Sequence, residues 1–203
     1  MKIICIGRNY VEHARELNHP VPAEPIFFLK PDSSLLRKNR PFYYPDFSQE
    51  IHYEAEIVVR ICKTGKYIEE KLAPTYYDSV AIGIDFTARD VQQRAKEKGL
   101  PWTKAKGFDG SAPISPFIPL SELPPIDRIG FHLTVNGQAV QRGNTGEMIF
   151  PVDRLISDIS RYMTLKTGDL IFTGTPSGVG PVKVGDRLEV YIEGRKMLWC
   201  EIK

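Results

Sequence analysis

The chain has 203 residues, with 27 lysines and arginines against 25 aspartates and glutamates, and a formal net charge of +2 at pH 7. This balance gives no electrostatic reason to expect a nucleic acid or a membrane surface as partner, and no apolar run approaches the roughly 18 residues that a membrane-spanning helix needs. The length predicts one domain, residues 1–203, and three widely separated cysteines argue against a disulfide framework and favour a reducing, cytoplasmic compartment.

The first half of the chain predicts short strands and two helices. Strands are expected where apolar and β-branched residues cluster, at Lys2–Ile6, Ile26–Lys30, Glu54–Ile61 and Val80–Phe86. Helical composition predicts helices at Tyr10–Asn18, with Asn9 as N-cap, and at Ala88–Lys98. The segment 31–49, rich in proline and polar residues, predicts a loop, and the segment 101–128 predicts a long, mostly irregular connection.

The second half predicts two hairpins around one helix. The turns Asn136-Gly137 and Glu193-Gly194 each separate two strand-like runs. Apolar residues at helical spacing predict a helix over Pro151–Tyr162, followed by a strand at Leu170–Thr173. Strands dominate and do not alternate with helices as βαβ units, so we expect a β-rich α+β fold with a rolled or sandwiched sheet and short flanking helices.

Three acidic residues in apolar surroundings form the most informative pattern. Glu54 and Glu56 are two apart in a predicted strand, so their side chains point to the same face. Such a pair also occurs without a role on the outer face of edge strands. Asp85 lies in a second apolar run and supplies a third carboxylate. Three buried carboxylates favour a hard divalent cation, Mg²⁺ or Mn²⁺.

Three further motifs are weaker and each has an ordinary structural explanation. His13 and Glu16 share a helix face, where the carboxylate would orient the imidazole as a base, or simply contact it at the surface. Lys106, in an aromatic and glycine-containing segment, would stabilise an enolate, or be a solvated lysine. The glycines and hydroxyls of 173–180 would bind a carboxylate through backbone N–H groups, or form a plain turn.

Taken together and in this order, the motifs resemble the fumarylacetoacetate hydrolase family, most closely its short acylpyruvase and oxaloacetate decarboxylase branch. The resemblance covers nearly the whole chain. It rests on six stretches: Gly7-Arg8-Asn9-Tyr10 with His13 and Glu16; His52 with Glu54 and Glu56; residues 85–92; Gly99-Leu100-Pro101-Trp102 leading to Lys106; Met148-Ile149-Phe150; and residues 173–180.

The resemblance implies a mixed β-sandwich roll, usually a homodimer, with one Mg²⁺ or Mn²⁺ in each subunit. By the same resemblance Glu54, Glu56 and Asp85 are the metal ligands, and His13, Glu16 and Lys106 are the catalytic residues. The substrate-binding residues that it implies are Arg8, Tyr10, Arg89, Gln92, Gly174 and Thr175.

The expected activity is cleavage of the C3–C4 bond of a small 2-oxo acid by hydrolysis of an acylpyruvate or fumarylpyruvate, through a metal-stabilised pyruvate enolate. Oxaloacetate decarboxylation or tautomerisation, and isomerisation of 2-hydroxyhepta-2,4-diene-1,7-dioate, use the same enolate and are the alternatives. A non-catalytic oxo-acid binding protein is an alternative of another class. The set of His13, Glu16 and Lys106 argues against it, because binding alone needs only the metal and the turn.

Overall fold

The structure, a computed structural model, describes residues 1–16 and 21–203. Its strands are β1 Ile3–Gly7, β2 Ile26–Lys30, β3 Leu35–Leu36, β4 Ile51–Tyr53, β5 Ala55–Ile61, β6 Tyr77–Ile84, β7 Thr87–Ala88, β8 Ala112–Pro113, β9 Ile118–Pro119, β10 Gly130–Val135, β11 Gln138–Asn144, β12 Leu170–Phe172, β13 Gly180–Pro181, β14 Arg187–Ile192 and β15 Arg195–Glu201. Its α-helices are α1 Val11–Glu16, α2 Arg89–Glu97, α3 Thr103–Lys106 and α4 Val152–Tyr162.

The strands form one large mixed sheet and a second, antiparallel sheet. The large sheet has the order β2-β1-β12-β5-β6-β9, in which only the β1–β12 pair is parallel. The second sheet has the order β11-β10-β14-β15. Two smaller groups, β13-β4-β7 and β3-β8, border the large sheet near the chain segments that carry the predicted site.

One face of the large sheet packs against the second sheet and α4. Alternate residues of β5 point into this core because side chains of a strand alternate between faces. The shared core includes Ile57, Val59, Ile82, Leu133, Val190, Leu198, Leu155, Ile156 and Ile159. This packing confirms the predicted β-rich sandwich with short flanking helices. Among the described residues, no helix is both long enough and apolar enough to cross a membrane.

The hairpin turn predicted between β10 and β11 is present in the structure. Asn136 and Gly137 have φ values of 52° and 82°, as the two-residue hairpin turn between β10 and β11 requires. The predicted helix Tyr10–Asn18 is seen as α1, and its predicted end at Asn18 lies outside the described residues. The segment 101–128 is mostly irregular, as predicted, and contains the short helix α3.

The register of β5 against β6 places the predicted carboxylates together. Glu56 lies opposite Gly83 and Ala55 opposite Ile84. Continuing this register brings Glu54 opposite Asp85, whose backbone N–H donates to the Glu54 carbonyl at 2.8 Å. Residues 54, 56 and 85 therefore share the face of the large sheet that points away from Ile57 and the main core.

Candidate active site

Three buried carboxylates meet at one end of the large sheet. Glu54, Glu56 and Asp85 each offer an oxygen, and these oxygens lie within 4.8 Å of one another. None of the three residues is more than 5% exposed. The strand pairing explains the cluster. Glu54 and Asp85 lie opposite each other across the two strands, and Glu54 and Glu56 are two residues apart on the same strand.

The electrostatics of the cluster call for a cation. Burial, together with the charges of Asp85 and Glu54, raises the pKa of Glu56 well above its ordinary value. Burial also opposes ionisation of Glu54, but Lys106 and Arg89 outweigh it and lower the pKa of Glu54. An all-oxygen donor set on one face suits a hard divalent ion such as Mg²⁺ or Mn²⁺. The residues present therefore fit the predicted metal, with Glu54, Glu56 and Asp85 as its ligands.

Lys106 reaches the cluster from α3. Its Nζ donates to Glu54 Oε2 at 2.8 Å and to Asp85 Oδ2 at 2.7 Å, and it lies 5.2 Å from the centroid of the Phe28 ring. Burial alone would lower the pKa of Lys106, but the charges of Asp85 and Glu54 raise it. Lys106 is thus a buried, protonated ammonium group beside the carboxylates rather than a solvated lysine.

A second buried lysine, Lys30, was not predicted from the sequence. Its Nζ forms an ion pair with Asp85 Oδ1 at 2.7 Å, at an angle outside that of a hydrogen bond. It also donates to Ser111 Oγ at 2.9 Å and to the backbone carbonyls of Phe86, Ser111 and Lys106. Lys30 therefore holds both a ligand carboxylate and the backbone of the active-site lysine. A lysine in the otherwise apolar strand Ile26–Phe27–Phe28–Leu29 was its only sequence signal.

Replacing Lys30 with methionine is expected to lower the free energy of unfolding by about 3–5 kcal/mol, because it leaves a buried carboxylate without this partner. Lys71→Met is the matched control: its Nζ lies 2.7 Å from Glu69, the same distance as the Lys30–Asp85 pair, but its side chain is 76% exposed against 0% for Lys30. The control should cost no more than about 1 kcal/mol. Urea unfolding of the two variants measures both values, and equal losses would contradict a structural role for Lys30.

Arg89 and Gln92 enter the cavity from the start of α2. Arg89 donates through Nη2 to Glu54 Oε1 and through Nη1 to Gln92 Oε1, the latter at 2.7 Å. Both residues line the cavity above the carboxylates. Arg89 Nε also lies 3.4 Å from His52 Nδ1, so the histidine that precedes the Glu54/Glu56 pair supports Arg89. The structure thus brings Arg89 and Gln92 to the predicted place.

His13 and Glu16 lie on α1, over the same cavity. His13 is 5% exposed, and its Nδ1 is 3.1 Å from Glu16 Oε2. The second oxygen of Glu16 accepts the N–H of Gly178 at 3.0 Å. This carboxylate therefore orients the imidazole and ties α1 to the 173–180 turn at the same time. Arg8, just before α1, also lines the cavity.

The 173–180 turn holds the carboxylates through its backbone, and the substrate-binding role expected of Gly174 stays a prediction. Its N–H donates to Glu56 Oε2 at 2.8 Å, and it is not among the described residues that line the cavity. Its φ of +98° and a clash of an added Cβ with Asn9 Cβ at 2.7 Å require glycine. Thr175 lines the cavity, but its hydroxyl donates to the Ala55 carbonyl and accepts from Gln141 Nε2, each at 2.9 Å.

The substrate-binding role expected of Tyr10 also stays a prediction, because the side chain lies away from the cavity. It is 2% exposed and packs in the main core, bridged to Met148, and it does not line the cavity among the described residues. Asn9 is not the N-cap that the sequence predicted for α1. Its side chain donates to the carbonyls of Thr173 and Phe150 and accepts the Phe150 N–H. Asn9 and Gln141 thus position the turn, and long-range bonds of this kind leave no local sequence signal.

Comparison with known proteins agrees with the motif order. A family model described as fumarylacetoacetate (FAA) hydrolase C-terminal matches residues 2–202. Oxaloacetate decarboxylase, mitochondrial, of Dictyostelium discoideum is 48% identical over 95% of this chain and 89% of the relative. Oxaloacetate tautomerase FAHD1, mitochondrial, of Mus musculus is 43% identical over 99% of this chain and 91% of the relative. Fumarylpyruvate hydrolase from Pseudomonas aeruginosa, solved with Mn²⁺ and pyruvate, has a TM-score of 0.94 and 37% identity over 100% of this chain and 89% of that chain.

Proposed function

Because the chain belongs to the fumarylacetoacetate hydrolase family, we propose that it is a Mg²⁺- or Mn²⁺-dependent enzyme that acts on oxaloacetate through an enolate. The observation that carries this proposal is the cluster of three buried carboxylates with Lys106 between two of them. The two relatives with oxaloacetate in their names support this substrate. They favour the alternative drawn from the resemblance over its first expectation, hydrolysis of an acylpyruvate.

A divalent ion held by Glu54, Glu56 and Asp85 would polarise the 2-oxo group and stabilise the negative charge of an enolate. Lys106 and Arg89 place two further positive charges at the same point, each already bonded to Glu54. These bonds hold the cations in position before the substrate arrives, so little reorganisation is needed when charge develops. In decarboxylation the C3–C4 electron pair forms the enolate as CO2 leaves, whereas in tautomerisation a proton leaves C3 and one is returned to the oxygen.

Tautomerisation moves a proton at C3, which His13 is placed to do, whereas the pyruvate enolate left by decarboxylation can take its proton from solvent. With Nδ1 directed at Glu16, Nε2 is the nitrogen free to face the cavity. The carboxylate of Glu16 favours the tautomer whose lone pair lies on Nε2, because Nδ1 then donates to it. His13 thus serves as the general acid or base of the site.

Hydrolysis of fumarylpyruvate is the second candidate, and the dyad favours it. A base that activates water is required only if water attacks the C4 carbonyl, and His13 with Glu16 has the composition of such a base. The Pseudomonas aeruginosa structure carries this activity in its name. The homodimer and the cytoplasmic location remain predictions from the resemblance and the cysteine pattern.

The test is a turnover panel on the purified protein. Oxaloacetate decarboxylation, keto–enol interconversion of oxaloacetate and fumarylpyruvate hydrolysis are measured with Mg²⁺, with Mn²⁺ and after chelation. We expect metal-dependent turnover of oxaloacetate at a kcat/KM above that for fumarylpyruvate. A higher kcat/KM for fumarylpyruvate would replace the first candidate with the second. Ligand binding with no turnover of any of the three would make the protein a non-catalytic oxo-acid binder.

A further inference from the structure

A chain of hydrogen bonds runs from the protein surface to the carboxylate cluster through Glu50 and His52, two residues to which the proposed reaction gives no role. Glu50 Oε1 lies 2.8 Å from His52 Nε2, and Arg89 Nε donates to His52 Nδ1 at 3.4 Å. Arg89 in turn donates through Nη2 to Glu54 Oε1. The side chain of Glu50 is half exposed, whereas those of His52 and Glu54 are largely buried. An exposed carboxylate is thus connected to a buried, predicted metal ligand.

The partners of His52 define which of its two nitrogens carries a proton. The guanidinium of Arg89 can only donate, so Nδ1 of His52 must accept. The ionised carboxylate of Glu50 can only accept, so Nε2 of His52 carries the proton and donates to it. His52 is therefore a neutral imidazole in a single tautomer, held between a donor and an acceptor.

All three nitrogens of the Arg89 guanidinium are engaged. Nε is bonded to His52, Nη1 to Gln92 and Nη2 to Glu54. A guanidinium carries five N–H groups in a rigid fork, of which two are on Nη1 and two on Nη2. Each of these two nitrogens therefore keeps one N–H that is not used in a hydrogen bond within the described ranges. Three anchoring points fix the plane of the fork, and with it the direction of the two remaining N–H groups.

The backbone that carries Glu50 and His52 is fixed to the start of α2, which carries Arg89. β4 is the central strand of the group β13-β4-β7, and β7 leads directly into α2. The Arg89 N–H donates to the Glu50 carbonyl at 2.7 Å, and Ser48 Oγ donates to the Asp90 carboxylate at 2.6 Å. Because these bonds do not involve the imidazole, a change of the His52 side chain leaves them in place.

We propose that Glu50 and His52 are positioning residues that fix the guanidinium of Arg89 at the cavity wall before the substrate binds. A cation that is already oriented needs no reorganisation when the negative charge of an enolate develops. An arginine that is already held also loses less side-chain entropy when it binds an anion. This inference rests on the proposed function, in which Arg89 stabilises the enolate, and it extends the site to two residues that act only through Arg89.

Two substitutions of His52 separate the contact with Arg89 from the mere presence of a polar side chain. In asparagine, Oδ1 lies where histidine has Nδ1, so His52→Asn can still accept from Arg89. In glutamine, the terminal amide lies where histidine has Nε2, so His52→Gln can contact Glu50 but not Arg89. We expect His52→Gln to lower kcat/KM for oxaloacetate by about 10- to 100-fold, the effect of a misplaced charged group. His52→Asn should restore most of this loss.

The controls separate this effect from a change in the fold. His52→Gln and His52→Asn should unfold at similar urea concentrations. His132→Gln makes the same chemical change in β10, a strand of the second sheet, and should keep wild-type turnover. Glu50→Gln keeps an oxygen that accepts from His52 and should also keep it, whereas Glu50→Ala should lower kcat/KM in the same direction as His52→Gln.

A double-mutant cycle tests whether His52 acts through Arg89. Arg89→Lys keeps a positive charge but lacks the fork that His52 holds. In the Arg89→Lys background, His52→Gln should therefore change kcat/KM by less than about twofold. Equal fold losses in the two backgrounds would show that His52 acts independently of Arg89 and would overturn the proposal.

The contact itself can be observed without turnover, by proton–nitrogen correlation NMR. The Nε–H of Arg89 should exchange slowly with water in the wild type and in His52→Asn, because it is hydrogen-bonded and largely buried. Its signal, identified by its absence in Arg89→Lys, should be lost in His52→Gln. Persistence of the signal in His52→Gln would contradict the positioning role, whether or not the protein turns over oxaloacetate. The expected NMR result in a wild type that turns over no 2-oxo acid would contradict the proposed function alone.

Discussion

Replacing Glu56 with glutamine is expected to abolish Mn²⁺ binding and to lower the turnover of oxaloacetate by at least about 10³-fold. The change removes one of three charged oxygen donors. Without the ion, the enolate loses several kcal/mol of charge stabilisation. Glutamine keeps the shape of the side chain and an oxygen that accepts the Gly174 N–H. The defect should therefore lie in metal binding and not in the fold.

Metal binding can be measured through thermal unfolding, independently of enzyme activity. Mn²⁺ should raise the unfolding temperature of the wild type, because a ligand of the native state stabilises it by mass action. The Glu56→Gln variant should show no such rise. Since burial and the neighbouring carboxylates raise the pKa of Glu56, a neutral residue there should leave the metal-free protein at least as stable as the wild type.

The control is Glu69→Gln, which makes the same chemical change at a side chain that is 64% exposed. It should keep wild-type Mn²⁺ affinity and wild-type turnover. Retention of wild-type Mn²⁺ affinity by Glu56→Gln would remove Glu56 from the metal site. Full oxaloacetate turnover in a chelated, metal-free sample would remove the metal from the reaction.

The second large effect is expected from Glu16→Gln, which should lower hydrolysis of fumarylpyruvate by roughly 10²- to 10⁴-fold. In the wild type the carboxylate accepts from His13 Nδ1 and leaves Nε2 as the base. The glutamine amide can donate to Nδ1, which places the proton on Nε2 and removes the base, as in a triad whose orienting carboxylate becomes an amide. The amide oxygen can still accept the Gly178 N–H, so α1 should stay in place.

Decarboxylation of oxaloacetate should fall less in this variant, because no water attacks in that reaction. The measurement is the ratio of the two kcat/KM values at fixed Mg²⁺, in the wild type and in Glu16→Gln. Glu12→Gln is the control on the same helix: Glu12 is exposed and paired with Arg15, so the ratio should not change. Equal losses of both reactions in Glu16→Gln would show that the dyad serves a shared step, such as proton transfer to the enolate or closure of α1.

Site residues that belong to a recognisable pattern of neighbouring amino acids were predictable from the sequence. Glu54 and Glu56 follow from strand periodicity, and Asp85 from its position in an apolar run. The hairpin at Asn136-Gly137 follows from its turn residues. Helical spacing predicted the contact between His13 and Glu16, and the resemblance supplied their catalytic role. In each case the interacting groups lie within a few residues, or the residue conflicts visibly with its neighbours, so that the amino-acid pattern itself carries the information.

Only the tertiary structure decided which distant groups support these residues. Lys30 reaches Asp85 because β2 pairs with β1 and lies next to the segment that carries Lys106. Asn9 and Gln141 bond to the 173–180 turn across 164 and 34 residues, distances that no periodicity encodes.

Packing and backbone geometry also decided where Tyr10 and Gly174 lie. Tyr10 packs in the main core, and the turn directs the Gly174 N–H at Glu56, while the substrate-binding role that the resemblance implies for both stays a prediction. The sequence by itself determined the chemistry of the carboxylate cluster and the β-rich class of the fold. Sheet register and side-chain packing, which sum many weak contacts between remote segments, decided which residues hold that cluster and which face the cavity.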